Sequence, residues 1–64
     1  KITNLKIKQN FVSFDISCES KDELLVKFYK GNKKIGTLNF PFKINKKFLF
    51  IKIPYGESKV EIKF

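Results

Sequence analysis

Val12-Ser13-Phe14-Asp15-Ile16-Ser17-Cys18 alternates apolar and polar residues without a break. A period of two is the mark of a half-buried β-strand, because successive side chains leave a strand on opposite faces. Val12, Phe14, Ile16 and Cys18 therefore form a core-facing row, and Ser13, Asp15 and Ser17 a solvent-facing one. The same period runs outward in both directions. Toward the N-terminus, Leu5 and Ile7 share a face, and Gln9-Asn10 supplies a turn. After a polar, acidic loop over residues 19–23, Leu24, Val26 and Phe28 alternate with Leu25, Lys27 and Tyr29. Lys30-Gly31-Asn32-Lys33 reads as a hairpin turn, since glycine and asparagine tolerate positive φ, and residues 35–40 are expected to return as the next strand. Gly36 inside that strand marks a bulge or a close contact.

Pro41 removes a ladder hydrogen bond, so Phe40-Pro41-Phe42 is expected at an edge or at a crossover between sheets. Asn45-Lys46-Lys47 is a second basic turn. In the run that follows, Phe48 and Phe50 face one way and Leu49, Ile51 and Ile53 the other, the pattern of a central strand that is apolar on both faces. Pro54-Tyr55-Gly56 turns the chain into a last strand, where Val60, Ile62 and Phe64 alternate with Lys59, Glu61 and Lys63. Six or seven short strands in 64 residues predict an all-β antiparallel sandwich, or alternatively a small SH3-like or OB-like barrel. The predicted core is Val12, Phe14, Ile16, Leu24, Val26, Phe28, Ile51, Ile53, Val60 and Ile62.

A single domain of this size buries only about 60% of its unfolded surface and needs help to stay folded. Cys18 is the only cysteine, so no internal disulfide closes. There is no histidine and no acidic cluster at ligand spacing, so no metal or cofactor site is expected. Bulk does the work instead, through eight phenylalanines, eight isoleucines and five leucines. Lys, Asn, Ile, Phe and Tyr fill 37 of the 64 positions, a codon usage that points to an AT-rich, bacterial genome and makes codon bias one source of the lysines. No segment has the length of a membrane-spanning helix, no signal-peptide pattern opens the chain, and no initiator methionine is present; residues 1–64 are read as one domain cut from a longer protein.

The net charge of +8 is carried by one stretch. Residues 24–56 hold eight lysines and no acid, whereas the flanking segments are balanced, with four lysines against four acids before and two against two after. A localised positive field fits a polyanionic partner, and equally a solvated coat that protects strand edges. Arginine, the usual choice for bidentate phosphate and guanine contacts, is absent, which counts against a dedicated nucleic-acid reader.

Two segments carry a resemblance to a known family. Val26-Lys27-Phe28-Tyr29-Lys30-Gly31-Asn32-Lys33-Lys34-Ile35-Gly36 is similar to the central hairpin of immunoglobulin-like and fibronectin type III sandwiches. Ile53-Pro54-Tyr55-Gly56, followed by Val60-Glu61-Ile62, resembles their leucine-x-proline corner leading into an alternating strand. The resemblance covers roughly the second half of the chain and implies a sandwich. Such domains commonly serve as accessory modules beside enzyme or surface domains.

Without histidine, and with Asp22 and Glu23 merely adjacent in a loop, no catalytic constellation is visible, and the chain is read as noncatalytic. Cys18 lies on the apolar row beside Ser17 and Glu19, where a buried, unreactive thiol is expected. The candidate polyanion contacts are Lys30, Lys33 and Lys34 in one turn, with Lys43, Lys46 and Lys47 around the other, forming one basic rim if both turns project from the same end. Phe11, Tyr29, Phe42 and Tyr55 are the candidate docking or stacking residues. The expected role is an accessory module that docks or orients another domain of its parent protein, or an anionic polymer or membrane surface, in the setting of a bacterial envelope or a glycopolymer-synthesising enzyme. The alternative is a small β-barrel that binds nucleic acid through the lysines of residues 24–56.

Overall fold

The computed structural model describes residues 1–64 as seven strands: β1 (Ile2–Lys8), β2 (Phe11–Cys18), β3 (Leu24–Tyr29), β4 (Thr37–Leu38), β5 (Phe42–Asn45), β6 (Phe48–Ile53) and β7 (Gly56–Lys63). They form two antiparallel sheets, sheet A in the order β1-β2-β7-β4 and sheet B in the order β3-β6-β5. No pairing joins the sheets into a barrel, so the architecture is a sandwich and the barrel alternative falls.

The row that decides the fold pairs along its whole length. β2 runs against β7 from Phe11–Lys63 to Cys18–Gly56, setting Val12 beside Ile62 and Phe14 beside Val60. These residues, with Ile16 and Cys18, form the sheet A half of the core. Sheet B contributes Leu49, Ile51 and Ile53, all fully buried on its central strand β6. Val26, Phe28, Ile35, Leu38, Phe40 and Phe64 pack around this centre while staying half-buried. Leu24 departs from the predicted core: its register with Ile53 turns it inward, but it begins an edge strand and keeps 37% of its surface exposed.

The expected hairpin after β3 does not form. Its turn is present, with the Lys33 N–H donating to the Lys30 carbonyl over 3.4 Å. The chain then leaves sheet B, and the Gly36 N–H donates to the Lys63 carbonyl over 2.7 Å. A Cβ on Gly36 would stand 3.2 Å from that same oxygen, which accounts for the glycine as a close contact. The strand expected over residues 35–40 shrinks to the two-residue β4, paired with β7. A local turn signal cannot specify which free edge the next segment will take. Here the segment covers the open edge of β7 and brings Ile35, Leu38 and Phe40 to the core. Asn39 prolongs that edge with its side chain, its Nδ2 donating to the Lys59 carbonyl over 2.7 Å and its Oδ1 accepting from the Glu61 N–H over 2.8 Å. Pro41 then lies between β4 in sheet A and β5 in sheet B, the crossover its missing N–H predicts.

The strand order also departs from the immunoglobulin constant type. In that order the seventh strand pairs with the sixth and the fifth with the second. Here β5 pairs with β6 and β7 with β2, so the likeness is one of layers and not of connectivity.

Four strands face three, and β1 is the strand left over. Ile2 and Ile7 lie opposite Ile16 and Val12 and so turn to the inner side, yet they are 52% and 71% exposed because sheet B does not reach beneath them. A bulge between Thr3 and Lys6 twists this edge, with Asn4 at φ 54° and its Nδ2 donating to Asp15 Oδ2 over 2.7 Å.

Lys46 is the other non-glycine residue at positive φ, 58°, in the turn between the paired residues Asn45 and Phe48. A lysine Cβ is strained there, whereas glycine is not. Lys46→Gly is expected to raise stability by about 0.5–1 kcal/mol. A urea midpoint that stays put or falls would show that the turn carries no such strain.

Candidate polyanion-binding face

Alternation decides what the outer face of sheet B carries. β6 buries Leu49, Ile51 and Ile53, so Phe48, Phe50 and Lys52 point outward. β3 turns Val26 and Phe28 inward and Leu25, Lys27 and Tyr29 outward. β5 follows in register, with Lys43 beside Phe50 and Asn45 beside Phe48. The registers assemble cross-strand rows: Lys27-Phe50-Lys43, then Tyr29-Phe48-Asn45, with Leu25 beside Lys52 at the far end.

All three strands fall inside the acid-free stretch of residues 24–56. Segregation of charge along the chain thereby becomes segregation between faces. The strands of sheet B carry no carboxylate, although Glu23, just before β3, lines a depression with Lys52 at the far end, while the outer face of sheet A interleaves Lys6, Lys59 and Lys63 with Asp15, Glu57 and Glu61. The Tyr29 and Phe48 rings meet edge to face at 5.3 Å between centroids and 68° between planes. Lys27 Nζ lies 4.3 Å above the Phe48 ring. Tyr29 keeps 61% of its surface exposed. Around these groups lies an open depression of about 390 Å³, lined by Tyr29, Phe48 and Phe50 together with Asn45, Lys27, Lys46 and Lys47.

The two basic turns do project from one end. The N–H groups of Lys30 and Gly31 both donate to the Lys47 carbonyl, over 2.9 and 3.2 Å. Their lysines do not all join one surface. Lys30 Nζ folds onto its own turn, donating to the carbonyls of Gly31 and Lys33. Lys33 Nζ reaches away to the Gln9 carbonyl over 2.7 Å and lies 5.1 Å from the centre of the Phe64 ring. Of the six predicted contacts, Lys34, Lys43, Lys46 and Lys47 are left as exposed cations, and only the last three border the rows of sheet B.

The predicted docking residues scatter. Phe11 is half-buried at the start of β2, beside Lys63. Phe42 faces inward on the edge strand β5, and Tyr55 occupies the turn at the opposite end from Lys46. Tyr29 alone stands on the basic face. Lys27, Asn45, Phe48, Phe50 and Lys52 belong to that face and were not singled out as contacts, although the outer rows of β3 and β6 were already readable as alternation.

A larger depression of about 650 Å³ lies at sheet A beside Asn4 and Ser17, but Asp15 and Glu57 line it with Lys1 and Lys59, a mixed charge that does not favour a polyanion. Cys18 is 4% exposed, and its thiol donates to the Ser20 carbonyl over 3.5 Å, which makes it a core residue as expected. No family model, curated protein or solved structure matches this chain.

Proposed function

We propose that this domain is a noncatalytic binding module that orients its parent protein on an anionic polymer through the outer face of sheet B. The observation that carries this reading is the composition of that face: Lys27, Lys43 and Lys52 on its strands, Lys46 and Lys47 at its turn, and no carboxylate among them. Five like charges on one face repel one another, at a cost to the folded state that an anionic partner relieves. Sheet A has the same strand chemistry and alternates its charges, so lysine abundance alone does not account for the one-sided face. The noncatalytic part rests on the absence of histidine and of any paired carboxylates in the sequence.

Amide NMR spectra at low salt, with inorganic polyphosphate and then an anionic glycopolymer titrated in, test the reading. Shifts are expected at Lys27, Tyr29, Lys43 and the residues from Asn45 to Phe50, and they should vanish on adding salt. Shifts confined to β1, β2 and β7, or none with either polymer, would overturn it.

A further inference from the structure

We infer that the polymer is a single-stranded nucleic acid, with a base stacked on Tyr29 and phosphates along Lys27, Lys43, Lys46 and Lys47; this rests on the polyanion reading above. Charge alone calls for lysines and not for rings. The face nevertheless sets Tyr29, Phe48 and Phe50 on neighbouring strands between its cations, in two adjoining rows. Tyr29 makes an edge-to-face contact with Phe48 and keeps most of its surface exposed, so it offers an aromatic platform to solvent. Aromatic platforms inside a positive groove are how single strands are held, since every base has a π-face and the backbone supplies the charge.

Lys27 fits the same occupant. Its ammonium lies over the Phe48 ring in the free protein, and turning it toward a phosphate would bare that ring for a second base. The depression beside them is open to solvent, so a base can reach the rings from outside. Asn45 is among its lining residues, and its amide can both donate to and accept from a base edge. A lipid surface would present headgroup charge to the lysines but nothing to stack in the recess. The absent arginines then define the mode of binding. With lysines as point charges and no guanidinium forks for guanine, the face holds the backbone and stacks the bases without reading their order. A duplex, whose bases are already stacked inside, gains nothing from the rings.

The test is fluorescence anisotropy of the 64-residue chain with four probes: a labelled oligothymidylate, an abasic strand with the same number of phosphates, a duplex, and vesicles containing anionic phospholipid. Oligothymidylate should bind about tenfold or more tighter than the abasic strand, from one stacked base. Tyr29→Leu, which keeps an apolar side chain on the strand, should shrink that difference several-fold, and Tyr29→Phe should restore it. Amide spectra confirm that each variant is folded. Equal binding of the oligonucleotide and the abasic strand would overturn the inference while leaving the polyanion reading intact. So would preference for the duplex, or binding to vesicles alone. Binding to none of the four would overturn it as well, and the polyphosphate and glycopolymer titrations then decide the polyanion reading.

Discussion

Ile51→Ala is expected to remove a large share of the domain's stability. Ile51 is fully buried at the middle of β6, the one strand of sheet B with a partner on both sides. Val26 and Phe42 flank it across the registers, and the β2–β7 core lies opposite. Removing a buried isoleucine side chain costs about 2–5 kcal/mol, with the upper end where the walls cannot collapse into the space. A domain of this length holds roughly 3–10 kcal/mol in total. The single thiol of Cys18 allows no disulfide to make up the loss. Ile44→Ala is the control: on the neighbouring strand, with 52% of its surface exposed, it should cost about 1 kcal/mol or less. Urea unfolding followed by circular dichroism compares the two. Equal shifts in midpoint would mean that β6 is not the centre of the core.

The second large effect separates place from quantity of charge. Changing Lys27, Lys43 and Lys47 together to alanine removes three of the eight net charges from sheet B and its turn. Changing Lys6, Lys59 and Lys63 removes the same charge from sheet A. If the five lysines of the sheet B face each meet a phosphate of a single strand, affinity falls with salt at a logarithmic slope of about −3.5, so a fourfold rise in salt costs about 100-fold. The sheet B triple should flatten that slope by about 2 and weaken binding on the order of 100-fold at low salt. The sheet A triple should leave the slope unchanged and alter affinity only through the weak long-range field. Identical behaviour of the two triples would show that the net charge binds and the face does not.

Some of this was legible residue by residue. The alternation at Val12–Cys18 and at Phe48–Ile53 gave strand positions and inward rows that the structure reproduces, down to Leu49, Ile51 and Ile53 on one side and the phenylalanines on the other, but Ser13, expected toward solvent, is buried. The Pro41 crossover followed from a missing donor. The course of residues 35–40 was misread, since the turn at Gly31 is a local fact and the edge that accepts the next segment is not. The candidate site was half-legible for the same reason. Counting lysines in turns picked out Lys30 and Lys33, whose ammoniums the fold spends on carbonyls. It passed over Lys27, which register places beside Phe50.

From the sequence alone came the strands, the residues that share a face, and the confinement of excess charge to residues 24–56. Each follows from neighbours a few residues apart, because side-chain alternation is set by local backbone sterics. The tertiary structure alone decided that β3, β5 and β6 form one sheet, that β4 and β7 leave for the other, and that five of the eight lysines of the acid-free stretch therefore share one face with aromatic residues. Strand partners are chosen by burying one shared core and satisfying every inner edge at once, a condition on residues far apart in the chain that no local pattern contains.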